Sequence, residues 1–170
     1  MNQNRVLPLG RVLLAIAMAA TLAACSSIGG ASSFGSSRTE IAELPNIGSY
    51  SAETALAEAR GHFRNNDFGH SAALYKRVVE LAPKNPEGYV GLGASYDRLR
   101  RFDLADRVYA SLHKLTGGTA QYYNNLGYSN LLRGNLPAAL KNFREAQRLA
   151  PDSIVIANNI QLIADATARS

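Results

Sequence analysis

Cysteine is nearly missing: the chain holds one, Cys25, so an internal disulfide and a cysteine-built metal site are both excluded. Tryptophan is absent, and histidine occurs only at His62, His70 and His113, which have no metal-ligand spacing and read as solvated or interhelical side chains. The apolar stretch Val12 to Ala20 falls well short of the roughly 20 residues that cross a bilayer core. Charge of one sign is not in large excess either. Eighteen Lys and Arg face 13 Asp and Glu, and setting aside the segment 1–24, with Arg5 and Arg11, leaves 16 against 13, a net +3. With no long basic run, that balance excludes a nucleic-acid partner. No nucleophile with its base, no converging carboxylates and no glycine-rich phosphate loop can be read, so the chain lacks the parts of an enzyme. Gly91 and Gly93 fall inside a predicted helix as packing residues, and Asp97, Asp103 and Asp106 read as a cap and a solvated helix face. No cofactor, metal or small-molecule substrate is expected.

What is there begins with Leu22-Ala23-Ala24-Cys25, which closes a short basic region and an apolar stretch. Small residues ahead of the lone cysteine have the form of a bacterial lipoprotein signal, so residues 1–24 are expected to be removed and Cys25 acylated as the new first residue. Ser26 and Ser27, with no Asp after the cysteine, resemble sorting signals for the outer membrane. The folded part is then expected to be anchored there by lipid and to face the periplasm. Residues 25–50 are rich in Ser and Gly and read as a flexible tether; within it Ile41 to Ile47 is more apolar, and its docking on the domain is left open.

From residue 51 the chain repeats with a period of 34. Ala59, Gly93 and Gly127 share one small-residue position, Ser71, Ala105 and Ala139 another, and Tyr75, Tyr109 and Phe143 a bulky aromatic one. Phe68, Phe102 and Leu136 recur in step, and Pro83, Gly117 and Pro151 end the units. These positions resemble the tetratricopeptide repeat, a pair of antiparallel helices per unit. The small residue of the first helix is expected to face the small residue of the second, Gly127 against Ala139 for instance. The fold class is then all-α: repeats over 52–85, 86–119 and 120–153 form a short superhelix, with turns at Asn66-Asp67, Arg100-Arg101 and Gly134-Asn135. The first repeat matches least well, with Glu58 where the others have Leu92 and Leu126. Asn158-Asn159-Ile160-Gln161 echoes Asn124-Asn125-Leu126-Gly127, so residues 154–167 read as a solvating cap helix, where Gln161 is tolerated because no second helix follows.

In such a superhelix the first helices line the concave side. Positions five, nine and twelve of each repeat should face it: Leu56, Arg60 and Phe63, then Val90, Ala94 and Asp97, then Asn124, Tyr128 and Leu131. An apolar stripe broken by single polar groups suits an amphipathic helix or an extended peptide.

The lipobox, the Ser/Gly tether, the three repeats, the run Tyr123-Asn124-Asn125-Leu126-Gly127-Tyr128 and the ending Leu149-Ala150-Pro151-Asp152-Ser153 together resemble the TadD-type lipoproteins of tight-adherence (Flp) pilus systems. The resemblance implies a pilotin, a non-enzymatic assembly factor that binds the outer-membrane secretin subunit. A periplasmic adaptor that scaffolds cell-wall hydrolases or other envelope assemblies is the alternative. Either way, Cys25→Ser is expected to leave the repeats folded and release the chain from membranes, since stable anchoring takes more than one acyl chain. Membrane fractionation checks this; a mutant that stays membrane-bound, with no labelled fatty acid in the wild type, contradicts the lipoprotein reading.

Overall fold

The computed structural model describes residues 40–168; the signal, the acylation site Cys25 and most of the expected tether lie outside the described residues. A 3₁₀ turn at Ile47–Ser49 leads into seven α-helices: α1 (Ala52–Arg64), α2 (Phe68–Leu81), α3 (Pro86–Arg98), α4 (Phe102–Thr116), α5 (Ala120–Leu132), α6 (Leu136–Leu149) and α7 (Ile154–Ala168). No strand occurs among the described residues.

Local chemistry accounts for the boundaries. Ser51, Asp67, Asn85, Thr119 and Asn135 each precede a helix and accept a backbone N–H of its first turn through the side chain. Pro86 and Pro137 sit in first turns, where the missing N–H costs no hydrogen bond. Between the helices of each repeat the chain reverses at one left-handed residue, Asn66 (φ 59°), Arg100 (φ 59°) and Gly134 (φ 78°), which recur at the expected turns. Asn and Gly adopt that conformation readily; Arg100 holds it under strain.

The helices pair as α1 with α2, α3 with α4 and α5 with α6, each pair inside one expected repeat. Successive first helices also touch, α1 on α3, α3 on α5 and α5 on α7, whereas α2, α4 and α6 do not pack on one another. Each second helix also packs on the first helix of the next pair, and because first helices touch one another while second helices do not, the stack curves with the first helices on its inner side.

The packing differs from expectation in one respect. In the second and third repeats the small residue of the first helix lies nearest the aromatic of its partner, whereas in the first repeat Ser71 donates to the Ala59 carbonyl at 3.1 Å, small residue against small residue as expected. A methyl group on Gly93 would sit 2.6 Å from the Tyr109 ring, and one on Gly127 would sit 2.5 Å from the Phe143 ring. Gly91 likewise takes the ring of Tyr75 from the preceding repeat. Ala139, the expected neighbour of Gly127, is fully buried in the same cluster as Phe143 and Ile163. A flat ring needs the missing Cβ more than a second alanine does, and its burial contributes roughly 1.5–3 kcal/mol.

One point left open is answered, and one further expectation is corrected. Residues 40–50, read as the end of a flexible tether, are docked on α2. Ala42 donates its N–H to the Gly69 carbonyl at 3.2 Å, Arg77 donates to the Gly48 carbonyl at 2.9 Å, and Ile41, Leu44 and Tyr50 pack on the core of the first two repeats. The first repeat thereby gains an apolar cover that its weak consensus did not announce. The helix at 154–167 is present, but it does not simply solvate the end of the stack: Ile156 and Ile163 are buried while Ile154, Val155 and Leu162 stay exposed.

Gly69 makes the docking possible, because a Cβ there would overlap the Glu40 carbonyl. Gly69→Ala favours α2 by about 0.5–1 kcal/mol in backbone terms, yet it is expected to displace residues 40–50. Hydrogen exchange checks this: protection at the Ala42 amide should be lost while the seven helices keep theirs. An Ala42 amide that stays protected contradicts the docking geometry.

Candidate partner-binding groove

All nine residues expected in the groove lie on the inner helices, three each on α1, α3 and α5. Their availability differs. Arg60 is exposed; Leu56, Phe63 and Val90 are half-buried against the core of the first two repeats, and Tyr128 and Leu131 against that of the third repeat and α7. Phe63 is further held by an edge-on contact with Phe68 at 5.3 Å between ring centres. Ala94 is partly exposed between them.

Asp97 departs from the expectation. It is 1% exposed and faces no solvent; its carboxylate accepts the Tyr109 hydroxyl at 2.8 Å and the Ser129 hydroxyl at 2.7 Å, joining α3, α4 and α5. Arg133 extends the network: it donates to the Ser129 hydroxyl at 3.1 Å, forks onto Asp106 and lies over the Phe102 ring. Burial raises the Asp97 pKa from the ordinary carboxylate value, against the hydrogen bonds from Ser129 and Tyr109 and the charge of Arg133. Burial, and then the neighbouring Asp97, push the Tyr109 phenol well above its usual range. The junction between the first two repeats has a smaller version: Ser71 and Ser95 share a hydrogen bond at 3.0 Å, and Ser95 also donates to the Gly91 carbonyl. Ser95 and Ser129 occupy the same place in successive repeats, a recurrence that could have been read in the sequence as a link between them.

The other polar members are paired as well. Arg60 makes a two-pronged contact with Glu87 at the start of α3, at 2.6 and 2.5 Å. Asn124 accepts from Asn159 of α7 at 2.8 Å, which ties the last helix to the groove wall. By the register of the repeat Val155 and Leu162 continue the row of Glu87 and Arg60, so the apolar part of the concave side extends onto α7, where they are 62% and 51% exposed. The expectation missed both, since it treated α7 as a cap. A shallow depression of roughly 890 Å³ lined by Tyr123, Pro137, Leu140 and Arg144 contains none of the nine residues.

Elsewhere, at the α1–α2 turn, the structure brings together two of the three histidines that the sequence left scattered. His62 and His70 stack at 5.0 Å and both turn Nδ1 toward Asp67. His113 lies apart, against Tyr122.

The tetratricopeptide-repeat family profile matches residues 56–111 and 91–154. No curated protein sequence matches the chain significantly. Among solved structures, the first repeat domain of human RPAP3 is similar at a TM-score of 0.60 and 19% identity, covering 69% of this chain and 93% of that one. The second repeat domain of human RPAP3 in complex with an HSP70 peptide aligns at 0.57 and 16%, over 66% and 94% of the two chains. The Yersinia enterocolitica type III secretion chaperone SycD in complex with a peptide of the translocator YopD gives 0.56 and 16%, over 68% and 93%. At such identities these likenesses establish the fold.

The Asp97 network makes a stability prediction. Asp97→Leu leaves two buried hydroxyls unpaired and is expected to cost roughly 2–5 kcal/mol, whereas Asp97→Asn keeps an acceptor for Ser129. The folded-state pKa of Asp97 is raised, so its contribution is fully present below the ordinary carboxylate pKa and is lost as pH rises through the folded value. Relative to Asp97→Asn, the wild type should therefore lose ground between about pH 3 and pH 7. Urea denaturation at both pH values checks this; a difference that stays constant, or moves the other way, contradicts it.

Proposed function

The chain belongs to the tetratricopeptide-repeat family, and from that premise we propose that it is an outer-membrane lipoprotein whose concave side holds an apolar segment of a partner protein. The partner is proposed to be the secretin subunit of a tight-adherence pilus system, which makes the protein a pilotin. The fold supports a protein-binding scaffold, and relatives of the same fold are seen with peptides bound. The observation that carries the reading is the run of Tyr128 and Leu131 into Val155 and Leu162, an accessible apolar strip at the C-terminal end of the first-helix row.

Polar groups along the rest of the row are satisfied internally, Arg60 by Glu87, Asn124 by Asn159 and Asp97 by Tyr109 and Ser129. A ligand there has little polar structure to recognise, so affinity comes from apolar burial and is concentrated in a few anchors. The lipid at Cys25 then holds the scaffold where a secretin must insert.

The test is a titration of a C-terminal secretin peptide into the full chain. Tyr128→Ala and Leu162→Ser are each expected to weaken binding by more than about 1 kcal/mol, and Arg107→Ala, on an outward face, to change little. Unchanged affinity in both folded variants contradicts the groove. No binding to the wild type contradicts the secretin as partner.

A further inference from the structure

We propose that His62, Asp67 and His70 form a binding site for one divalent first-row transition-metal ion, of the zinc, nickel or cobalt type, that clips α1 to α2. Asp67 caps α2 and is held in place from both sides: its N–H donates to the His62 carbonyl at 2.9 Å, and its carboxylate accepts the His70 N–H. His62 lies in the last turn of α1, and His70 lies in the first turn of α2. The left-handed residue Asn66 folds these two turns together. Nδ1 of His62 lies 2.9 Å from Asp67 Oδ2, and Nδ1 of His70 lies 2.9 and 2.8 Å from Oδ1 and Oδ2. One ligand atom from each residue falls within 4.8 Å of the others.

A metal with bonds of about 2.1 Å to nitrogen and oxygen brings such N···O pairs to these separations at ligand angles of about 90°. Such separations suit an ion held by two imidazoles and one carboxylate, with the remaining positions open. The donor set matters: two nitrogens and one oxygen suit zinc, nickel or cobalt, whereas calcium and magnesium call for oxygen donors. The side chains are 32%, 35% and 40% exposed for His62, Asp67 and His70, so an ion can enter and retain water or a partner's side chain. On binding, the ion replaces the Nδ1 protons that hydrogen-bond the carboxylate, and those protons pass to Nε2 or to solvent.

The fold does not call for these three residues. The corresponding positions of the second repeat are Tyr96, Arg101 and Leu104, and of the third Asn130, Asn135 and Ala138, yet the same turn forms in both. Asp67 alone would cap α2, as Asn135 caps α6. Two imidazoles converging on that cap are an addition peculiar to the first repeat, the one whose consensus is weakest. A metal clip there holds together the repeat on which residues 40–50 dock.

The experiment titrates Zn²⁺ into the untagged full-length chain in detergent by calorimetry, with Co²⁺ absorption as a second readout of coordination. One ion per chain is expected, with a rise in the melting temperature. His62→Asn and His70→Asn should each weaken Zn²⁺ binding by at least about tenfold, and His113→Asn should leave it unchanged. Asp67→Asn retains a capping oxygen, so it should keep the metal-free melting temperature while losing affinity to a similar degree. No heat of binding, or an affinity unmoved by His62→Asn and His70→Asn, overturns the site. So does loss of binding in His113→Asn.

Discussion

At Gly93 and Gly127 the first helix of a repeat approaches the aromatic ring of the second so closely that no Cβ fits between them, and the remaining architecture follows from that contact. The ring fills the space that a side chain would otherwise take, so the two helices lock at one distance. The contact recurs in step in the second and third repeats, while in the first Ala59 stands at the glycine's place. The first helices then touch along the inside and the second helices stay apart. Interiors packed to the density of organic crystals tolerate little change at such a point.

The same geometry limits what the concave side can do. First helices that touch one another bury much of the face they present, so Leu56, Phe63 and Val90 act largely as core and Asp97 wholly so. Ser129 and Tyr109 hold Asp97 at the junction of the second and third repeats, where a buried carboxylate needs every partner it has. Among the described residues, free apolar surface collects on α7, which packs on α5 and α6 through one face. Val155 and Leu162 stay exposed there while Ile156 and Ile163 seal the third repeat. At the opposite end, residues 40–50 cover α2 and leave α1 as the outermost inner helix.

The repeat was legible because it is a strong periodic signal: helix pairs, turns at Asn66, Arg100 and Gly134, and the repeat boundaries all follow from recurrence with a period of 34. Which residue meets which across a pair was not. Period tells that Gly127, Ala139 and Phe143 belong together, but only the direction in which the ring leaves its helix decides that Phe143 lies nearest the glycine. Asp97 sits at a groove position by count, yet it turns inward because Tyr109 and Ser129 offer donors there, and no periodicity encodes that preference. The docking of residues 40–50 was hidden for another reason. It rests on Gly69, a glycine with no counterpart at Asp103 or Pro137, so the repeat pattern gave it no weight. The grouping of His62, Asp67 and His70 likewise spans a turn whose closure determines their distances.

A double-mutant cycle at Gly127 and Phe143 tests the central packing claim most directly. Alone, Gly127→Leu overpacks the site at a cost of roughly 1–3 kcal/mol, and Phe143→Ala opens a cavity at a cost of about 3–5 kcal/mol. Together, the new leucine occupies the space the ring has left, so the double variant should be more stable than the sum of the two losses by at least about 1 kcal/mol. The same leucine combined with Ala139→Gly should show no such relief. Losses at Gly127 and Phe143 that simply add, or relief from Ala139→Gly instead, would contradict the account.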